Sequence, residues 1–182
     1  MSGFSFRKNI HGTSEVPAMF EITGANSIIF QVGDLIRVNN GGFGALVTTG
    51  DLVLGVVQSV VTPKGAPVDN DSATTDTWTM ASDNQTVAQN RVQYIPALSD
   101  YLFFNDSDDT LAATNLFQYF PVNDENDVNG SSSSDSTVDT VRLIEIDPDH
   151  DGDASKGLWQ IVESFWAQNG MGTVDTGGIE AA

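Results

Sequence analysis

The chain has 182 residues, 7 Lys and Arg against 25 Asp and Glu, no Cys, and a formal net charge of -18. Such acidity suits nucleic acid poorly, because phosphates need clustered cations, and without Cys there are no disulfides, thiol nucleophiles or Cys-ligated metals. At 40% hydrophobic the chain can bury a core, yet no apolar run approaches the ~20 residues that span a bilayer, and the N-terminus lacks a signal-peptide pattern.

The acids are 19 Asp and 6 Glu. Asp, with abundant Asn, Ser, Thr and Gly, favours turns and strand ends over helices. Residues 1–50 balance Arg7, Lys8 and Arg37 against Glu15, Glu21 and Asp34, so residues 51–182 carry the whole net charge. The stretch from Asp100 to Asp153 holds 14 acids and one base, Arg142. This distribution suits a solvated, self-repelling surface, adaptation to salty water, or an acidic outer face opposite a neutral or basic docking face.

Residues 1–9 place Phe4 and Phe6 beside Arg7 and Lys8. They lack helical period, and residues 1–20 read as an extended N-terminal arm, ordered by what it docks on. Val-, Ile- and Leu-rich runs at 27–32, 35–38, 45–48 and 52–61, punctuated by Gly and Asn, predict the strands of a meander. Asn40-Gly41 is a good hairpin dipeptide, because both residues tolerate positive φ. Gly33-Asp34-Leu35-Ile36 recurs 17 residues later as Gly50-Asp51-Leu52-Val53, which marks two equivalent strand starts. No G-x-G-x-x-G or G-K-[ST] pattern is present, so these glycines do not read as a phosphate loop.

Residues 68–90 are polar, with one short strand expected at 77–80 around Trp78 and Met80. A connection of that length usually makes contacts of its own. Residues 91–121 predict two strands separated by 106–110, since Pro96 and the Asn/Asp cluster interrupt any helical period. Residues 122–140 are low-complexity and acidic, and predict a flexible insertion. Alternation over 138–147 predicts a strand. Residues 155–170 read as a helix, with Leu158, Ile161, Val162, Phe165 and Trp166 at i, i+3, i+4, i+7 and i+8, Ser155 as cap and Asn169-Gly170 as stop. Gly157 and the flanking aromatics also suit a strand pair. Residues 171–182 read as a flexible tail. The expected architecture is all-β: a small barrel or sandwich over residues 21–170, with long polar loops and one C-terminal helix.

Asp147-Pro148-Asp149-His150-Asp151-Gly152-Asp153 matches the first half of a calcium loop, in which alternating oxygens face the ion and Gly permits the sharp turn. Position 12 of that loop is Leu158 instead of a bidentate Glu, and the preceding element reads as a strand. Asp147, Asp149, Asp151 and Asp153 are therefore candidates for a weak calcium site or for a plain acidic turn. Asp106, Asp108 and Asp109 form a lesser cluster without a Gly. His11 and His150 are the only imidazoles, and no G-x-S-x-G is present. The chain reads as non-enzymatic, with calcium as its one candidate cofactor.

The aromatic-basic arm, the paired Gly-Asp-Leu strand starts, the polar insertions, the high Asp content and the lack of a catalytic motif together resemble the decoration, or cement, proteins of tailed-bacteriophage capsids. Residues 32–57 (VGDLIRVNNGGFGALVTTGDLVLGVV) look most like the small β-barrel of such proteins. The resemblance implies a structural virion protein on the capsid exterior that binds the major capsid protein and bridges capsomers as a homotrimer, without nucleic-acid or membrane contacts. It puts Phe4, Phe6, Arg7 and Lys8 first among capsid contacts. The alternative is a calcium-dependent carbohydrate- or surface-binding β-module, with the Asp147–Asp153 turn holding the metal and Trp78, Trp159 or Trp166 as the sugar platform.

Overall fold

A computed structural model of the chain describes residues 3–12, 17–69, 76–131 and 140–166. Two five-stranded antiparallel sheets make up its body. Sheet A has the order β1 (Ser5–Asn9), β9 (Tyr101–Asp106), β14 (Lys156–Ile161), β13 (Val141–Ile146), β10 (Tyr119–Phe120). Sheet B has the order β2 (Phe20–Thr23), β8 (Arg91–Pro96), β6 (Gly55–Val61), β4 (Leu35–Val38), β5 (Gly44–Leu46). Two small ribbons pair β3 (Ile29–Gln31) with β7 (Thr77–Thr79), and β11 (Val122–Asp124) with β12 (Asp127–Val128). No helix among the described residues is long and apolar enough to cross a membrane.

The chain is an all-β sandwich. Its central core joins Phe4, Leu35, Val56, Phe103, Leu143 and Trp159, contributed by both sheets and all buried. Sheet B is covered on its other side too. Val57 and Val60 of β6 turn away from Val56 into a second core with Phe30, Trp78, Met80 and Tyr94. A bulge between Val57 and Ser59 lets residues three apart share that face. Sheet B curls until its outer strands meet at one parallel bridge, Gly24 to Gly44. The buried Asn84 ties the β2 side of this junction to the start of β8. Its amide donates to the carbonyls of Gly24 (2.7 Å) and Asn90 (3.1 Å), and its oxygen accepts the Asn90 N–H (2.9 Å). The barrel reading thus survives only as the curl of one open sheet.

The repeated Gly-Asp pair is one turn used twice. Gly33 and Gly50 hold φ of 96° and 89°, which L-residues avoid. This returns the N–H of Asp34 to the carbonyl of Gln31 (3.1 Å) and that of Asp51 to Thr48 (3.0 Å). Each carboxylate then accepts the N–H of the same residue, at 2.6 Å for Gln31 and 2.8 Å for Thr48. The β4–β5 hairpin is longer than Asn40-Gly41 alone predicts. Asn39 Oδ1 accepts from the N–H groups of Gly41 and Phe43, and the positive φ falls on Gly42.

Three expectations change. Over the described part of 155–170 the expected helix gives way to a strand: Lys156–Ile161 is the central strand of sheet A, Phe165 and Trp166 are helical, and residues 167–170 lie outside the described residues. Leu158, Trp159 and Ile161 are all buried, Trp159 and Ile161 in the central core, while Leu158 interrupts the polar Lys156 and Gln160 on the other face and so completes an apolar spacing that imitates a helix. Residues 91–121 hold three strands, since the segment after Pro96 turns and the Tyr101 N–H returns to Leu98 (3.0 Å) to begin β9. Residues 122–128, expected within a flexible insertion, form the β11–β12 ribbon and bury Val122 and Val128 in the central core. Residues 132–139 of that insertion and the tail at 171–182 lie outside the described residues.

Candidate interaction surfaces

The four residues expected to reach for a capsid are engaged within the chain itself. Ser5–Asn9 is an edge strand of sheet A, paired with β9, in place of a free arm. Phe4 is 1% exposed and belongs to the central core, with its N–H on the carbonyl of Gly33 (2.8 Å). Within the chain it is therefore a packing residue. Phe6 packs edge-on against Tyr101 and Phe103, with centroids 5.4 and 6.1 Å away. Arg7 pairs with Asp149 and lies 5.1 Å over the Phe104 ring. Lys8 pairs with Glu145 at 3.4 Å. The neutral first third does not form one face either, because its strands are divided between sheet A, sheet B and the β3–β7 ribbon.

The Asp147–Asp153 segment is the β13–β14 turn. Asp147 Oδ1 and Oδ2 accept the N–H groups of Asp151 (3.0 Å) and Gly152 (2.9 Å). Asp151 accepts the N–H of Asp153, and Asp153 accepts from the N–H and hydroxyl of Ser155. The Lys156 ammonium bonds to Asp151. That bond leads the causes that hold Asp151 below the usual carboxylate range and Lys156 above its own, while the Ser155 bonds lower Asp153. The carboxylates are thus spent on backbone N–H groups and cations. Among the described residues no three His, Asp or Glu side chains gather as metal ligands. Two of the three candidate platform rings are also inside. Trp78 and Trp159 are buried, with their indole N–H groups on the carbonyls of Val68 and Asn105 (both 3.0 Å), and only Trp166 is half-buried.

Carboxylates gather at one end of the sandwich. Loop 106–109 has three, the β11–β12 turn three and the β13–β14 turn four. Hydrogen bonds from Ser107 to Ser155 (2.9 Å) and from Asp108 to Val128 (3.0 Å) tie these segments together. Beneath them lies Asp34, 3% exposed, an acid the sequence marks only as a turn residue. Burial pushes its carboxyl up to about 7, reinforced by Glu125 and Asp124 and opposed by the Gln31 N–H. Its twin Asp51 stays at the surface, 2.9 Å from Arg37. The difference is tertiary: the β11–β12 turn covers the first copy, where the Leu35 N–H reaches the Glu125 carbonyl (2.5 Å).

Two edges of the body are apolar instead. On sheet B, β2 is outermost, and Phe20 is 46% exposed beside Trp166 and Tyr94, with ring centroids 5.4 and 6.2 Å away. Met19 next to it is also exposed, and the single charge of the strand, Glu21, is neutralised by Arg91 at 2.6 Å. On sheet A, β10 is outermost and belongs to a run, residues 110–123, without one charged residue. Phe117 in that run is 63% exposed. Neither edge was foreseen from the sequence, although the charge-free run inside the most acidic stretch is a readable signal. Compared with known proteins, the chain matches no protein family, no curated protein and no solved structure.

Proposed function

We propose that the chain is a structural, non-enzymatic virion protein that binds the outer surface of a tailed-phage capsid as a homotrimer and bridges neighbouring capsomers. The observation that supports this reading is the pair of apolar edges, one on each sheet, on a body otherwise rich in carboxylates. Packaged DNA pushes capsomers apart. A bridge resists this only if two contact surfaces are held at a fixed separation by a stiff body, and a sandwich with a continuous core is stiff. The acidic end keeps the outward side hydrated and repels non-specific association. Several weak contacts per assembly would add avidity without one strong contact.

The test is cosedimentation of the purified chain with heads of the phage that encodes it, stripped of this protein. Saturable binding and a higher temperature of head rupture are expected, both diminished by Phe20→Ser on the β2 edge. Heads that neither bind the chain nor gain heat resistance from it refute the reading.

A further inference from the structure

The sheet A edge carries three features that one copy of the chain leaves unexplained. Phe117 holds a φ of 64°, a conformation bulky side chains avoid, and yet its ring stands in water. Its N–H bonds to the Leu143 carbonyl (2.8 Å), and the Leu143 N–H returns to Gln118 (3.0 Å), so the strained residue is fastened to β13. One position along β13, Arg142 stands opposite Tyr119. No carboxylate lies within ion-pair range of its half-buried guanidinium among the described residues. Arg7, Lys8, Arg37, Arg91 and Lys156 all have carboxylate partners, and Lys64, the other base without one among the described residues, is exposed at the surface.

We propose that the Phe117–Arg142 edge docks on a second copy of this chain, with Phe117 packed on an apolar patch of that copy and Arg142 bound to one of its carboxylates. Charge selects this occupant. Two chains of -18 repel each other over most of their surfaces, so they approach where one side contributes no negative charge, and residues 110–123 contribute none. The carboxylate-rich surface of the copy supplies what Arg142 lacks. Because the described residues of the edge hold a cation and no anion, it does not complement itself, and it meets a different patch of the copy. The inference rests on the homo-oligomeric part of the proposed function: the sheet A edge joins the copies, the β2 edge of each copy meets the shell, and the two contact surfaces that bridge capsomers belong to different copies of one assembly.

Light scattering of the full chain over a range of concentrations tests it. The wild type is expected above the 19.4 kDa monomer mass, with Phe117→Ser and Arg142→Glu each returning it to monomer and Arg142→Lys retaining most of the assembly. Ile29→Ser, at an equally exposed apolar residue on the β3–β7 ribbon, is expected to leave the mass unchanged. Thermal unfolding of each variant separates lost association from lost folding. A wild type that stays monomeric, or an assembly indifferent to both Phe117→Ser and Arg142→Glu, overturns the inference. A monomer that still saturates phage heads overturns it while leaving the capsid reading intact, and an assembly of the expected kind that ignores heads does the reverse.

Discussion

Lys8 and Glu145 meet at 3.4 Å although two strands, β9 and β14, lie between their own. Two bulges make the contact possible. One falls between Phe6 and Lys8, the other between Leu143 and Glu145. With strict alternation each pair would share a face. The extra residue instead lets Phe6 and Leu143 pack on the core while Lys8 and Glu145 stay on the solvent side. The long stem of Lys8 then lies along the sheet instead of reaching outward.

This arrangement separates anchoring from charge. Phe4→Ala is expected to cost about 3–5 kcal/mol in urea unfolding, as for other buried Phe residues. Lys8→Ala should cost less than about 1 kcal/mol, because the pair is partly solvated. Equal costs, or a silent Phe4→Ala, would show that the N-terminal strand is not built into the core. Deleting residues 2–9 is consequently expected to lower stability, whatever it does to binding.

Asp34 predicts a pH dependence with a definite sign. The folded chain holds its proton up to about pH 7, whereas an unburied Asp releases it near 3.8. Its stabilising effect is therefore complete below pH 3.8 and lost as pH rises through 7. The loss is up to about 4 kcal/mol at about 1.36 kcal/mol per pH unit. Asp34→Asn keeps an oxygen for the Gln31 N–H and removes the titration. Urea midpoints at pH 5 and pH 8 should show the variant gaining on the wild type at the higher pH, and parallel curves would refute the assignment.

At the β13–β14 turn, Asp147→Ala removes the acceptor of two backbone N–H groups and is expected to cost about 1–2 kcal/mol. Millimolar calcium is expected to leave the melting temperature of the wild type where chelator leaves it, since the carboxylates already have partners. A calcium-dependent rise of several degrees that Asp147→Ala abolishes would restore the metal reading of this turn.

Phe117→Gly should act in opposite directions on two properties. Glycine takes φ of 64° without the clash between Cβ and the backbone, so monomer stability should rise by about 1 kcal/mol. Self-association should weaken at the same time. A variant less stable than the wild type in the monomeric state would mean that the Phe117 ring holds the fold together.

Local chemistry was the readable part of this chain. The Gly33-Asp34 and Gly50-Asp51 turns follow from positive φ and an Asp that accepts three residues back, so their repetition is visible without a structure. Burial of Asp34 but not Asp51 depends on a ribbon some 90 residues away, which no local pattern announces. Phe4 is the same case, because its place in the core depends on β1 pairing with β9. The misread helix has another cause. Leu158 and Ile161 satisfy helical spacing only because Leu158 is apolar and buried on the face of β14 that otherwise carries Lys156 and Gln160. Gly157 was the residue that argued otherwise. A Cβ there would lie 2.5 Å from the Trp159 ring, so its bareness is a packing requirement of the sheet.

The position of β14 sets an order on synthesis. Every strand of sheet B has been synthesised once Pro96 is added, and these strands can pair once they clear the ribosome, while later residues are still being translated. Sheet A has no such independence. β1 emerges first but has no neighbour until Tyr101–Asp106 follows, and β9 and β13 are joined only by β14, the last strand in chain order. A nascent chain that stops before Lys156 thus carries the strands of sheet B beside two unconnected strand edges, and the burial of Phe4 is completed only after about 150 further residues have been made.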